Sequence, residues 1–196
     1  MCNKIVLREE LALRRTIAFD TCPNAGLTLA TKFSSAICIA HDTIIAGYMP
    51  FRAEIDPRPL MRALAMKGVL LTLPRVNSPS PLSGRGAVLS FHQCDIDNKA
   101  HFQKNRWGLL EPHLHLPTVT PTILLVPLLG FDRQGNRLGY GKGYYDTAIA
   151  DLRQTANITA IGLSFAQQEV EHIPTQPHDQ RLDWIITQNE AYRFPS

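Results

Sequence analysis

The 196-residue sequence has no long apolar run, no paired cysteines and little excess charge. No apolar stretch approaches the roughly 18 residues of a membrane helix, so we expect no membrane span. The N-terminus is basic and amphipathic and has no apolar centre of the kind a secretory signal needs, which predicts a cytoplasmic protein. The length suffices for a sizeable core, and we predict a single domain over residues 1–196.

The four cysteines show no CxxC pair and no zinc-like spacing. The composition is not that of a small secreted domain, so a disulfide framework is not expected. Cys38 lies in the apolar stretch SSAICIA, which predicts a small core residue.

A formal net charge of +3 is mild and suits a small anionic ligand. A nucleic-acid-binding protein usually has a concentrated basic face. Here only a few cations cluster, at 133–142, without the aromatic-basic alternation of RNA-binding modules. We therefore expect no nucleic-acid partner, although a nucleic-acid-binding module using these cations stays open as an alternative.

Strand-like and helix-like segments alternate along the chain. The patterns predict helices over 4–18, 27–39, 56–68 and 144–154, and strands over 43–49, 69–74, 87–93, 122–131, 159–165 and 183–187. The cluster of Ser, Pro and Gly at 77–86 predicts a loop. This order predicts an α/β fold whose mainly parallel sheet is covered by helices on both faces.

The stretch GFDRQGNRLGYGKGYYD lies between a predicted buried strand and a predicted helix. Ligands of open α/β sheets bind at the carboxyl ends of strands, and a helix N-terminus attracts anions. Gly139, Gly141 and Gly143 alternate, so the backbone could approach a phosphate closely, with Lys142 and Arg137 as cations. The spacing is neither a Walker A loop nor a dinucleotide fingerprint. The residues alone leave a phosphate site and a flexible surface loop equally open.

The same stretch resembles the signature of the 5-formyltetrahydrofolate cyclo-ligases, also called methenyltetrahydrofolate synthetases. Further motifs stand in family order: NKIVLR, GYMPFRAEID, the LTLPR proline-arginine turn, GLLEP, ILLVPLLGFD and IPTQPHDQRLDWIIT. The resemblance covers nearly the whole chain. It implies ATP- and Mg²⁺-dependent cyclisation of 5-formyltetrahydrofolate to 5,10-methenyltetrahydrofolate through phosphorylation of the formyl oxygen, with release of ADP and phosphate. It also implies the three-layer α/β/α fold of sugar-phosphate isomerases and CoA transferases.

The resemblance also implies a nucleotide site with three catalytic residues. Lys142, Arg8 and Tyr144 would act at the transferred phosphoryl group. The predicted nucleotide-binding residues are Lys4, Arg8, Arg137, Leu138, Gly139, Tyr140, Gly141, Lys142, Gly143, Tyr144 and Tyr145. As an alternative, Lys4 and Arg8 would form only a solvated basic face of the first helix.

Two carboxylates match the Mg²⁺ ligands that the resemblance implies, Asp146 and Asp179. Carboxylate oxygens are the ligands that this hard cation prefers. The alternatives are that Asp146 is a first-turn acid favoured by the helix dipole and that Asp179 is a turn residue.

For the folate, the resemblance implies that Glu54 accepts hydrogen bonds from the pterin N–H groups and that Met49 packs on the ring. The predicted substrate-binding residues are Met49, Glu54, Trp107, Tyr140, Gly141, Lys142, Gly143 and Tyr144. Met49 could equally be core filler, and Trp107 and Tyr48 are open as wall residues of the pocket. We expect a monomeric enzyme acting on a small molecule, with a non-catalytic folate- or nucleotide-binding protein as the alternative.

Overall fold

The computed structural model describes residues 4–77, 88–105 and 108–195. The α-helices are α1 (Lys4–Thr21), α2 (Ala25–Ala36), α3 (Arg58–Met66) and α4 (Tyr144–Thr155). The strands are β1 (Ile44–Ala46), β2 (Leu70–Asn77), β3 (Val88–Gln93), β4 (Phe102–Lys104), β5 (Leu110–Pro112), β6 (Ile123–Pro127), β7 (Gly130–Phe131), β8 (Arg137–Leu138), β9 (Thr159–Ser164), β10 (Trp184–Thr187) and β11 (Ala191–Arg193). None of the helices described is long and apolar enough to cross a membrane.

Seven of the strands form one sheet in the order β11-β10-β9-β6-β1-β2-β3. The five strands from β10 to β2 run parallel to their neighbours. The two edge strands, β11 and β3, join antiparallel. The prediction of a mainly parallel sheet is therefore confirmed.

Side chains of the central strand β6 alternate between two apolar layers. Ile123 and Leu125 belong to the core cluster that contains the buried residues of α2 and α3. Leu124 and Val126 belong to the cluster that contains the buried residues of α4. Because successive strand residues point to opposite faces, helices cover both faces of the sheet. The predicted three-layer arrangement is confirmed.

Helix α1 packs against a two-stranded hairpin formed by β7 and β8. Leu7 and Leu11 recur on one face of α1 and pack with Leu129 and Leu138. The approach is close at Gly130, where an added Cβ would lie 2.4 Å from a methyl carbon of Leu11.

The turn of this hairpin is built around Asp132, which is fully buried. Its Oδ1 accepts hydrogen bonds from the backbone N–H groups of Gln134 at 2.9 Å and Asn136 at 3.0 Å. Its Oδ2 accepts from the Asn136 amide at 2.9 Å and from the Ile173 backbone at 3.0 Å. Asp side chains favour such turns because they bond to backbone N–H groups a few residues on. The strand predicted over 122–131 is thus interrupted after β6, and its end belongs to the hairpin.

Two local predictions were wrong. Cys38 is exposed, because α2 ends at Ala36 before reaching it, whereas Cys94 is buried. The proline-arginine pair of LTLPR is not a turn but lies within β2. Pro74 fits there because β1 pairs with β2 only up to Thr72, which leaves that edge free.

Two other predictions differ in extent. The strand predicted over 43–49 pairs only over Ile44–Ala46, and Tyr48 and Met49 beyond it line the cavity described below. The loop predicted over 77–86 lies outside the described residues, apart from Asn77 at the end of β2.

We expect Asp132→Ala to lower the free energy of unfolding by about 3 kcal/mol, since hydrogen bonds to a buried charge are strong and their donors would lose a partner. Urea unfolding of the purified variant measures this. The control is Asp20→Ala, at the exposed end of α1, which should change stability little. Equal stability of the two variants would show that the turn does not depend on Asp132.

Candidate functional site

A cavity of about 1220 Å³ opens where β1, β2 and β6 end. Met49 follows β1, Val76 lies near the end of β2 and Pro127 ends β6, and all three line the cavity. This is the edge at which open parallel sheets bind ligands. The volume exceeds the roughly 300–1,000 Å³ of a usual small-molecule pocket, so it has room for two ligands side by side.

Every site residue predicted from the sequence and described by the structure lines this cavity. They are Lys4, Arg8, Met49, Glu54, Arg137, Leu138, Gly139, Tyr140, Gly141, Lys142, Gly143, Tyr144, Tyr145, Asp146 and Asp179. Trp107 lies outside the described residues. The fold therefore brings together segments from both ends of the chain, while the role of each residue stays a prediction.

The glycine loop, residues 139–143, is shaped by left-handed backbone and by Arg8. Gly141 and Gly143 have φ of +87° and +70°, a conformation that favours glycine. Gly143 is the N-cap of α4, so unpaired N–H groups of the first helical turn lie beside the cavity. The Arg8 Nε donates to the Gly139 carbonyl at 2.9 Å, and a Cβ on Gly141 would lie 3.2 Å from the Arg8 guanidinium carbon.

The two predicted metal ligands are each paired with a cation. Asp146 Oδ1 accepts from Arg137 at 2.7 Å and from the Gln180 backbone at 3.0 Å. Asp179 Oδ2 accepts from the Lys4 ammonium at 2.6 Å. Partial burial raises the pKa of Asp179, but hydrogen bonds from Lys4 and the Gln176 backbone outweigh it and lower the pKa below its usual value. Both groups thus face the cavity as paired acids.

These carboxylates fit a magnesium ion whose remaining ligands are supplied by phosphate and water. The described residues contain no group of three or more His, Cys, Asp or Glu side chains that could hold a metal alone. Mg²⁺ in nucleotide sites is usually bound by one or two carboxylates, with substrate phosphates and water completing the shell. Asp146 and Asp179 meet that requirement, and Gln180, next to Asp179, donates to Asp146 and keeps the two segments together.

Glu54 is the buried acid of the opposite wall, with 5% of its surface exposed. Its Oε2 accepts from the Phe51 backbone at 2.9 Å, and its Oε1 lies 3.8 Å from the Arg15 NH1. Burial raises the pKa of Glu54 to about 7, because the loss of water outweighs the Phe51 hydrogen bond and the Arg15 charge. Near neutral pH this group exists in both protonation states.

Sequence reasoning missed Arg15, which is 3% exposed and lies behind this wall. Its NH2 donates a hydrogen bond to the Tyr140 hydroxyl. A signal for it exists, because Lys4, Arg8 and Arg15 are spaced i, i+4 and i+11 and so share one helix face. The adjacent Arg14 hides that signal, since it points outward and pairs with Glu10.

Phe51 was missed as well. Its ring meets the Tyr140 ring edge-on, at 6.5 Å between centroids, and it lines the cavity. Aromatic pairs at this separation prefer such an arrangement. It follows Met49 by two residues in the segment that resembles the folate motif, where only Met49 and Glu54 were predicted.

We expect Glu54→Gln to raise the free energy of unfolding above that of the wild type by more at pH 8 than at pH 4. The folded-state pKa of about 7 exceeds the ordinary 4.5, so between these values the folded state binds more protons than the unfolded chain. Wild-type stability therefore falls as the pH rises through this window, by roughly 3 kcal/mol, and Gln removes that loss. Denaturant unfolding across this pH range measures it, with exposed Glu9→Gln as control. Parallel curves for Glu54→Gln and the wild type would contradict the raised pKa.

Known proteins resemble this chain over most of its length. A sequence model of the 5-formyltetrahydrofolate cyclo-ligase family matches residues 1–188. The chain is 32% identical to the 5-formyltetrahydrofolate cyclo-ligase of Haemophilus influenzae, over 72% of this chain and 74% of that enzyme. It is 26% identical to the enzyme of the same name from Escherichia coli K12, over 92% of this chain and 97% of the other.

Two solved structures share the fold. The 5,10-methenyltetrahydrofolate synthetase of Aquifex aeolicus superposes with a TM-score of 0.75 at 23% identity, covering 98% of this chain and 93% of the other. The synthetase of Mycoplasma pneumoniae gives a TM-score of 0.70 at 21% identity, covering 95% and 99%. From the family match and the related sequences, the chain belongs to the 5-formyltetrahydrofolate cyclo-ligase family.

Proposed function

We propose that this protein cyclises 5-formyltetrahydrofolate to 5,10-methenyltetrahydrofolate with ATP and Mg²⁺, releasing ADP and phosphate. The observation that carries the proposal is the joining in one cavity of a cation-lined glycine loop and the buried acid Glu54. The first suits a triphosphate and the second suits an N–H-rich ring. The names of the related enzymes from Haemophilus influenzae and Escherichia coli support the same reaction.

The reaction requires positioning and charge neutralisation more than a protein nucleophile. The formyl oxygen attacks the γ-phosphorus and ADP leaves, which turns that oxygen into a good leaving group. The neighbouring N10 then attacks the formyl carbon and loses its proton as phosphate departs. Phosphoryl transfer of this kind is catalysed chiefly by alignment and by electrostatic stabilisation. A site of cations, glycines and carboxylates is suited to it.

The nucleotide end of the site comprises α1, the glycine loop and the start of α4. Lys4 and Arg8 project from α1 into the cavity, and Arg8 also holds the loop through the Gly139 carbonyl. We assign Lys142, Arg8 and Tyr144 to the transferred phosphoryl group, because Lys142 is exposed on the loop and all three line the cavity. Arg137 and the backbone from Leu138 to Tyr145 would hold the remaining phosphates.

Asp146 and Asp179 would hold the magnesium ion. When bound, the ion would neutralise phosphate charge and help align the γ-phosphate. The two acids are paired with Arg137 and Lys4, which are themselves proposed phosphate ligands. Each acid is therefore paired with a cation, while Arg8 and Lys142 add further positive charge for the phosphates to the same cavity.

The folate would lie against the Glu54 wall. Ionised Glu54 can accept hydrogen bonds from pterin N–H groups, and Met49 would pack on the flat ring. Tyr140 and Tyr144 would place the formyl end beside the glycine loop, and Trp107 stays a candidate for the same pocket. The cavity is continuous from Glu54 to Lys142, so both substrates can reach each other.

The purified protein, given ATP, Mg²⁺ and 5-formyltetrahydrofolate, should form the methenyl product, measured by its near-ultraviolet absorption. Omission of either ATP or Mg²⁺ should abolish the signal, because the formyl oxygen is not otherwise activated. A signal that persists without ATP would overturn the mechanism. Tight binding of both substrates without turnover would favour the alternative, a non-catalytic folate- or nucleotide-binding protein.

Lys142→Ala should lower kcat by about 10²–10³, or roughly 3–4 kcal/mol, since it removes a positive charge from the developing phosphoryl transition state. The thermal midpoint should barely change, because the exposed Lys142 side chain contributes little to packing. Lys67→Ala is the control, as Lys67 is exposed beyond α3 and away from the cavity. Near-normal kcat at saturating ATP would remove Lys142 from the mechanism.

A further inference from the structure

Arg15 is a buried cation without a full set of partners. It projects from α1 and is 3% exposed, and within the described residues its Nε and NH1 make no hydrogen bond. NH1 lies 3.8 Å from Glu54 Oε1, and NH2 donates to the Tyr140 hydroxyl. The guanidinium carbon lies 5.2 Å from the centre of the Tyr140 ring. Arg15 does not line the cavity, whereas Glu54 and Tyr140 both do.

Stability does not explain a charge at this place. Removing a guanidinium from water is costly, and each unpaired N–H adds to the cost. The hydrophobic residues of α1 that share the buried face, Leu7 and Leu11, pack without such a penalty. A cation kept here against that cost, touching two walls of a ligand cavity, indicates a role at the site.

We propose that Arg15 is a positioning residue, which favours the charged form of Glu54, the form that accepts the folate N–H groups, and fixes the glycine loop through Tyr140. This rests on the proposed function for the identity of the ligand. The electrostatic part, Arg15 acting on Glu54, concerns the empty protein and can be tested without any substrate.

The groups around Glu54 make Arg15 the deciding charge. Tyr140 of the glycine loop, Tyr48 after β1 and Tyr145 of α4 all interact electrostatically with Glu54, and each has a raised pKa for which burial is the largest cause. These phenols are therefore neutral near pH 7. Among the described residues, Arg15 is the one cation whose charge lowers the pKa of Glu54. Without it, burial would act against the Phe51 hydrogen bond alone.

Arg15 also connects the two halves of the site. Its partners lie on separate segments, the loop between β1 and α3 and the glycine loop. One planar guanidinium donates to the Tyr140 hydroxyl and holds its charge 3.8 Å from Glu54 Oε1, a fixed geometry that a flexible ammonium does not provide. Loss of Arg15 should therefore affect folate recognition and loop placement together.

The test compares Arg15→Leu and Arg15→Lys with the wild type, and Arg14→Leu serves as control because Arg14 is exposed on the same helix. Two measurements are made on each protein. The first is the titration of the Glu54 carboxyl by carbon NMR in the ligand-free protein, assigned with Glu54→Gln. The second is the pH profile of kcat/KM for cyclisation.

For Arg15→Leu we expect the Glu54 midpoint to rise by about one pH unit and the acid limb of kcat/KM to move with it. At pH 7 this lowers kcat/KM about fivefold, mainly through KM, and the deficit shrinks at higher pH as Glu54 ionises. Arg15→Lys should restore the midpoint but not the full rate, since it keeps the charge and loses the planar contact to Tyr140. Arg14→Leu should match the wild type.

An unchanged Glu54 midpoint in folded Arg15→Leu would overturn the inference, even if wild-type turnover upholds the proposed function. For Arg15→Leu, a loss of kcat/KM that is equally large at all pH values would also overturn it, because the loss should shrink as Glu54 ionises. Absence of turnover in the wild type would overturn the proposed function alone. In that case the NMR titration still decides whether Arg15 favours the charged form of Glu54.

Discussion

The site depends on the docking of α1 against the β7–β8 hairpin. Leu7 and Leu11 fix the helix on the apolar side, and the close approach at Gly130 sets its distance. Three of the four cations of the same helix, Lys4, Arg8 and Arg15, then reach an acid, a loop carbonyl and a phenol far along the chain. A small rotation of α1 would move all three at once. Buried apolar packing thus sets the electrostatics of the cavity.

Short-range patterns predicted much of this from the sequence. The strand and helix periods indicated a covered parallel sheet, which is confirmed, and the glycine loop was placed correctly before α4. The resemblance to the cyclo-ligases, confirmed by the family match, indicated which residues meet. Fifteen of the residues predicted in this way line one cavity. What each does there is still a proposal.

The failures have a common physical origin in long-range contacts. Arg15 was missed because its partner Tyr140 lies 125 positions away, and because the adjacent exposed Arg14 obscures the helix face that Arg15 shares with Lys4 and Arg8. Cys38 was misplaced because an apolar stretch does not show where its helix ends. The β4–β5 hairpin was not predicted, since strands of three residues carry too short an alternation to read. Tertiary packing decides each of these cases.

The raised pKa of Glu54 links ligand binding to protons. Because the pKa of Glu54 is about 7, its carboxyl is protonated in roughly half of the ligand-free molecules near neutral pH. A ligand that donates N–H groups to this carboxylate selects the ionised half, so binding should release about half a proton per molecule at pH 7. Because the buffer takes up the released proton, a calorimetric binding heat would include the heat of buffer ionisation. Through this one buried carboxyl, the affinity for a ligand at Glu54 depends on the pH of the solution, and the heat of binding depends on the buffer.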